Sequence, residues 1–543
     1  MTVQIIRVEI HNFCSIHDGR FDLQDYNLLI GANNSGKSNT INAIRAFYEE
    51  VKYEAGKHKP ATGETDEHCW VELTFQLTPE EYAALDGAYR IEENRLRVRR
   101  ILSAPQGVQK PGLYAYEASG LATKAYKGKL GKVIYIPAVT KVEDQTKTSG
   151  PSPLRDLIND ILATMAQTSE AYKRLGKAFK TFAKKVRSEQ TVGNRSIKGL
   201  EADITKNLKP WNVQFALNIA SMTPEDIIKT LISLRLVDSQ VGEEQRIEQF
   251  GQGLQREIIF QLIRIKSEYL EQVGDNSTEL TMLLFEEPEV FLHPTQQIEL
   301  AERLWAISGD GGSQVLLSTH SPHFVSYESD NLISLIRLSR SEGKTLFGQI
   351  STQRLAEILA NNQRINEIFI KHKKNIPLDD ATVDMEAVKY FLWLDPNRCG
   401  MFFASFVLLV EGPTEVAFLN YLVRNRKLIV PYGIVIVDCI GKYNFHRFMH
   451  ILDALNVPHS VLLDEDKNEG FHDDLNQFIK EQGHILTQTR TVETIPDCVE
   501  TFLGIAKTDR HRKPQHLLVS YQKGKITAEK FDAFIALVKP LLS

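Results

Sequence analysis

Gly31-Ala32-Asn33-Asn34-Ser35-Gly36-Lys37-Ser38 has the residue types and spacing to hold the phosphates of a nucleotide. Gly31 and Gly36 allow a tight turn, so backbone N–H groups can face phosphate oxygens, and a helix starting there adds its positive dipole end. Lys37 can reach the outer phosphates and Ser38 can hold a Mg²⁺. Gly31, Asn34, Ser35, Gly36, Lys37, Ser38 and Asn39 are therefore the candidate contacts to ATP. Such a loop needs an acidic partner, and Glu286-Glu287-Pro288-Glu289 supplies one. Glu286 suits the metal and Glu287 the attacking water. His320, ending another apolar segment, can sense the γ-phosphate. The alternative for the glutamates is a charged loop after a buried strand. Gly251 and Gly253 precede a helix start and can approach a phosphate closely. Their place between phosphate loop and acidic strand end suits a loop that touches ATP on another subunit.

Carboxylates recur later at the ends of apolar segments. Phe406–Val410 runs into Glu411 and Glu415, Ile434–Val437 into Asp438 and then Gly441-Lys442, and Ser460–Leu463 into Asp464-Glu465-Asp466. Carboxylates converging at one sheet edge repel one another unless cations neutralise them. Oxygen-rich sites suit Mg²⁺ or Mn²⁺, which activate water and stabilise in-line phosphoryl displacement. An acidic cap or turn is the alternative for any one motif, but three at successive strand ends favour a metal site. Lys513, in the basic run Arg510-His511-Arg512-Lys513, can stabilise transition-state charge beside a metal-bound phosphate; the alternative is a surface lysine.

The elements that must position these residues follow from periodicity. Tyr26–Ile30, Thr281–Phe285 and Gln314–Ser318 read as buried strands, and Thr40–Tyr48 as a helix with Ile41, Ile44 and Phe47 on one face. Val3–Ile10, Trp70–Leu77, Leu96–Leu102 and Lys132–Ile136 add strands, and Thr78-Pro79 opens a helix with Glu80 and Glu81 in its first turn. After Gly150-Pro151 the spacing becomes helical. Leu154 to Met165 lie on one face, Tyr172 to Val186 take coiled-coil spacing, and Ile197 to Leu208 repeat it beyond a Gly193-Asn194 turn. This predicts an inserted helical hairpin. Its outer face carries Lys173, Arg174, Lys177, Lys180, Lys184, Lys185 and Arg187, which suits a solvated surface at least as well as a nucleic-acid stripe. Trp211–Ile219 alternates and predicts a strand. Ile350–Asn375 is helical with Lys371, Lys373 and Lys374, Val383–Leu394 a connecting helix, and Ile485–Gln488 a last strand. Strands alternating with helices after residue 400 predict a parallel α/β sheet, with ligands at its carboxyl ends.

Composition narrows the class of protein. The chain has 543 residues, enough for several domains, and a net charge of −5, so any nucleic-acid surface is local. Five scattered cysteines without metal-ligand spacing fit a reducing cytoplasm. Met1–Ile10 alternates polar and apolar residues and lacks a signal-peptide core, and the longest apolar run, Met401–Val410, is too short to span a bilayer.

Taken in this order, the motifs resemble the OLD (overcoming lysogenization defect) nucleases. Gly31–Ser38 is similar to that family's Walker A, Leu283–Pro294 to its Walker B and adjoining loop, Gly251-Gln252-Gly253-Leu254-Gln255 to its signature loop, and His320 to its switch histidine. Tyr135-Ile136-Pro137-Ala138 also resembles part of the head. The resemblance implies an α/β fold: an ABC/SMC-like ATPase head in residues 1–150 and 211–375, a helical dimerisation hairpin in 151–210, a connector in 376–400, and a TOPRIM (topoisomerase-primase) Rossmann-like domain in 401–543. It implies that Glu411, Glu415, Asp464, Asp466 and Glu500 are metal ligands and Lys513 the catalytic lysine. Glu286 stands where ABC ATPases usually have Asp, the signature loop lacks its serine, and Gln76 is the one candidate for a Q-loop glutamine. Cys498 stands where some relatives have serine.

The resemblance further implies ATP and Mg²⁺ (or Mn²⁺ at the nuclease site), a homodimer or tetramer, metal-dependent nicking or cleavage of DNA, and antiphage defence. Some relatives work with a helicase-like partner or a retron reverse transcriptase and its small DNA. RNA as substrate, and a non-enzymatic SMC-like DNA clamp, are the competing readings. No membrane partner is expected.

Overall fold

The computed structural model describes residues 4–138 (less 64, 93, 106–108 and 129), 169–186, 196–217 (less 212), scattered positions from 236 to 261, 280–325 (less 291 and 309–313), 331–374 and 396–542 (less 467–469). The chain divides into two compact units, residues 1–138 with 276–543, and residues 139–275.

The first unit holds three sheets among its described residues. One is antiparallel, in the order Ile16–Asp22, Gln4–Phe13, Cys69–Gln76, Arg95–Ser103, Gly112–Glu117, Gly120–Leu121. The second runs Lys344–Gln349, Leu335–Ser341, Tyr26–Ile30, Gln314–Ser318, Leu280–Glu286, Lys132–Ile136, and is parallel except for its first pair. Tyr26–Ile30 is central and every residue in it is buried. A parallel strand covered on both faces needs a continuous apolar run. Asn27, the polar exception, is satisfied by hydrogen bonds with Gln24 and the Val315 carbonyl. Helix Lys37–Phe47 buries Ile41, Ile44 and Phe47 in a core shared with Val71, Leu73 and Phe75 of the antiparallel sheet and Leu284 and Leu316 of the mixed one. Register aligns Glu286 with Ser318, and Ser318 with Leu29, so the acidic strand end, His320 and the phosphate loop share one edge.

The third sheet is wholly parallel, in the order Ile434–Asp438, Phe406–Val410, His459–Asp464, Thr489–Ile495. Parallel neighbours need crossovers, here the helices Pro413–Arg424, Phe445–Ala454 and Gly470–Ile485. The strand tips therefore bring Glu411, Asp438 and Asp464 to one edge. Arg337 joins this sheet to the mixed one. Buried in strand Leu335–Ser341, its guanidinium donates to the carbonyls of Phe402, Ala404, Leu455 and Asn456 at 2.7–3.2 Å.

The second unit contains helices Glu170–Val186 and Ile197–Asn207, the latter capped by Ser196, and a short hairpin pairing Leu236–Val237 with Glu244–Gln245. Phe182 and Leu200, on the expected apolar seam, are exposed. Leu154–Met165, the Gly193-Asn194 turn and Val383–Leu394 lie outside the described residues.

Two expected strands are absent. Residues 213–217 are not in a strand, and Lys209–Trp211 is a 3-10 turn. The segment instead satisfies its backbone on a helix: Phe215 N–H bonds Thr205 Oγ1, the same hydroxyl donates to Phe215 O, and Leu217 N–H bonds Glu201. Ile485 ends a helix, and the last strand is Thr489–Ile495. Its polar alternation belongs to a half-exposed edge strand, which has no apolar run to announce it. Among the described residues, no helix is long and apolar enough to cross a membrane.

Candidate functional site

The phosphate loop needs both its glycines. Gly31 and Gly36 have φ of 142° and 112°, and a Cβ would meet the Leu338 carbonyl at the first and Thr345 Oγ1 at the second. Lys37 opens the helix with its side chain folded back, donating to the carbonyls of Gly31 (2.9 Å) and Ala32 (3.0 Å). Burial pushes its ammonium down to about 8, although Glu287, Glu289 and Glu286 pull the other way. The loop borders an open cleft of about 1030 Å³ also lined by Asn34, Ser38, Asn39, Glu287 and His320. Asn39 donates to Ser15 Oγ at 2.8 Å.

Glu286 accepts from Tyr135 Oη at 2.7 Å, and Arg45 stacks over the Tyr135 ring. Glu287 adopts a left-handed conformation (φ 43°), pinned by its N–H on Ser318 O, and its carboxylate lies 3.6 Å from His320 Nε2. His320 is held in place through its backbone N–H on Glu289 at 2.6 Å. Burial and the nearby Lys37 push its imidazole below the usual histidine range. Ser35 Oγ, Glu286 Oε1 and His320 Nε2 are buried with no hydrogen-bond partner. Unpartnered polar atoms facing a phosphate loop fit a nucleotide with its metal. The cleft-lining Lys57, Lys59 and Arg340 were not singled out in the sequence; only the topology brings them here. Gln76 donates to the Asn94 carbonyl and does not line the cleft. Gly251 is exposed and Gly253 lies outside the described residues.

The parallel sheet presents the opposite charge. Glu411 follows strand Phe406–Val410. Glu415, on the first turn of the next helix, accepts from Gly412 N–H at 3.1 Å. Asp464 ends its strand, and Asp466 follows with φ 50°. Glu500 is buried on helix Val499–Phe502, 3.4 Å from Lys513 Nζ. Burial, joined by the charges of Glu415, Glu411 and Asp466, pushes the Asp464 carboxyl up to about 9. Burial, with Glu411 and Glu500 nearby, pushes Glu415 up to about 7. Glu411 is raised chiefly by burial, against the attraction of Lys442. Burial opposes the Lys513 charge, yet the pull of Glu500 leaves its pKa raised.

Asp438 does not join this group. Arg398 holds it through bonds of 2.6 and 3.1 Å, so a strand-tip carboxylate that looked available is already neutralised. In its place stands Lys442, whose part the sequence did not reveal. Its buried Nζ donates to Asp464 O at 2.6 Å and Asp466 Oδ2 at 2.7 Å. Cys498 Sγ lies 3.3 Å from Thr501 Oγ1.

Glu411 Oε2 and Asp464 Oδ1 are buried without a hydrogen-bond partner, and Glu500 Oε1, equally buried, has only the Lys513 ammonium at 3.4 Å. Among the described residues, no three His, Cys, Asp or Glu side chains stand close enough to grip an ion as they are. Orphaned oxygens and raised carboxyls fit a divalent ion.

Comparison with known proteins agrees with this division. A family model described as an AAA ATPase domain (AAA_15) matches residues 4–98 and 67–325, and one described as the overcoming lysogenization defect protein-like TOPRIM domain matches residues 402–466. The chain is 24% identical over 490 residues to the Old nuclease of Escherichia phage P2, covering 86% of this chain and 78% of that protein. It is 21% identical over 359 residues to endonuclease GajA of Bacillus cereus (strain HuB5-5), covering 64% of this chain and 48% of that one. Among solved structures, an Smc head bound to the C-winged helix domain of ScpA aligns with a TM-score of 0.36 at 16% identity, over 65% of this chain and 99% of that chain.

Proposed function

The chain belongs to the AAA_15 family of AAA ATPase domains and carries an OLD-like TOPRIM domain, and from that premise we propose that it is an ATP-regulated endonuclease that uses a divalent metal to nick or cleave DNA. One observation carries the reading: buried carboxylates at neighbouring strand ends, raised by burial and mutual repulsion, with a lysine on the Glu500 side. Glu411, Glu415, Asp464, Asp466 and Glu500 would hold Mg²⁺ or Mn²⁺. The ion would neutralise phosphate charge and lower the pKa of a water. Lys513, steadied by Glu500, offers its ammonium to the phosphate. In the head, Lys37 exchanges two loop carbonyls for phosphate oxygens, Ser38 and Glu286 serve the nucleotide's metal, Glu287 orients water and His320 reports the γ-phosphate. The relatives named as nucleases support DNA as substrate, and the antiphage role and homo-oligomeric state implied by the resemblance belong to the same reading.

The test is plasmid nicking by purified protein with Mn²⁺ or Mg²⁺, beside a chelated control and a parallel tRNA assay. Metal-dependent DNA nicking is expected. Strong DNA binding without metal-dependent cleavage would turn the reading toward a clamp, and cleavage of tRNA alone toward an RNA nuclease.

A further inference from the structure

Lys442 stands among the acidic residues with no part in the chemistry above. It opens a 3-10 turn, Lys442–Asn444, directly after Gly441, whose φ of 114° turns the chain back over the sheet edge. That turn is fixed to the end of the neighbouring strand, Phe406–Val410. Cys439 N–H bonds Val410 O and Gly441 N–H bonds Glu411 O, so the residue before Lys442 is fastened to the backbone of a candidate ligand. From there the side chain, 3% exposed, reaches Asp464 O and Asp466 Oδ2, and its Nζ lies 3.9 Å from Glu411 Oε2. His472 Nδ1 is 3.5 Å from the same Asp466 oxygen. Asp466 is otherwise held through its backbone, its N–H on Asp497 O at 2.9 Å. The ammonium thus bridges the tips of three adjacent strands at the point where anions crowd.

A buried ammonium needs anions or carbonyls around it, and crowded carboxylates need a cation. Lys442 meets both demands in the metal-free protein. A divalent ion that recruits Asp466 and Glu411 competes for the same oxygens and is repelled by the ammonium. We propose that Lys442 is the resident counter-cation of the acidic centre: it holds Asp466 and the Asp464 strand tip in place without metal, and it sets metal affinity by competing with the ion. The proposal rests on the metal-nuclease reading. It makes Lys442 a positioning residue, separate from Lys513 on the Glu500 side.

The experiment is calorimetric titration of Mn²⁺ into nucleotide-free protein, with melting temperature measured in chelator and in saturating Mn²⁺. Lys442→Met should melt lower than the parent in chelator. It should bind Mn²⁺ more tightly by about one to two orders of magnitude, since one charge repulsion in a half-screened site is removed, and it should gain more in melting temperature from Mn²⁺. Lys442→Arg, which keeps the charge, should stay near the parent in affinity. Should Lys442→Met prove unfolded in chelator, Mn²⁺ should restore its melting transition, and absence of rescue overturns the proposal. Unchanged or weaker Mn²⁺ binding by a folded Lys442→Met also overturns it, because packing alone would give that result. Failure of the nuclease reading looks different: the parent itself would bind no Mn²⁺, or Asp464→Ala would bind it as well as the parent.

Discussion

At the phosphate loop a buried lysine is held by two carbonyls, whereas at the edge of the parallel sheet buried carboxylates crowd around the buried Lys442. Burial pushes Lys37 down to about 8, and burial with repulsion pushes Glu415 and Asp464 up to about 7 and 9. Each region is strained in the sense that a ligand of opposite charge relieves. An anion stabilises the first and a cation the second, so in both places binding energy is also folding energy. The two sites differ in preparation as well. The loop is built from backbone geometry that glycine imposes, while the acidic edge depends on side chains that must draw together.

The largest expected effects test this opposition by crossing it. Asp464→Ala should abolish nicking and leave ATP binding intact. Lys37→Ala should abolish ATP binding and leave Mn²⁺ binding at the acidic centre intact. Plasmid nicking at fixed Mn²⁺ and nucleotide titration on the same two proteins give the answer, with folding checked by melting temperature. Full nicking by well-folded Asp464→Ala would remove the proposed centre. Next in size, Lys513→Ala should keep metal binding and slow nicking by about two to three orders of magnitude, the cost of one lost transition-state charge contact. A loss of metal affinity in that variant would make Lys513 a structural partner of Glu500 instead.

Much of this was legible in sequence because each site rides on a buried strand. Tyr26–Ile30 and Phe406–Val410 are uninterrupted apolar runs, so their ends, and the residues just past them, can be read directly. What escaped has a common cause. Arg398 neutralises Asp438 from 40 positions away, and Arg337 reaches Phe402, 65 positions on. No local spacing encodes such pairs. Lys442 was visible as a Gly-Lys turn, but its partner Asp466 lies on another strand tip. Thr489–Ile495 was missed because an edge strand can be polar on both faces.

A smaller effect tests whether the opposed sites communicate. Arg337 pairs in register with Ile30, directly before Gly31, and its guanidinium ends on carbonyls flanking the parallel sheet. Arg337→Lys keeps the charge but loses the fork that serves four carbonyls. The change in nicking rate caused by ATP should shrink, while ATP binding and nucleotide-free nicking stay near the parent. An undiminished ATP effect would show that coupling runs elsewhere.

The smallest effect is a matter of sign. Lys37 lies below its ordinary value, so phosphate binding draws a proton onto it, and ATP titrated near pH 8.5 should take up a fraction of a proton, up to about one. Asp464 and Glu415 lie above theirs, so a metal expels their protons, and Mn²⁺ titrated into nucleotide-free protein near pH 7.5 should release about one. Calorimetry in two buffers of different ionisation enthalpy reads both. The same shifts order the metal-free stability. A carboxyl raised in the folded state costs nothing below its unfolded value, 3.8 for Asp and 4.5 for Glu, and destabilises increasingly as pH rises toward about 9 for Asp464 and about 7 for Glu415. Chelation should therefore lower the melting temperature more at pH 8.5 than at pH 6. Proton release at both sites, or uptake at both, would mean that they are not opposites.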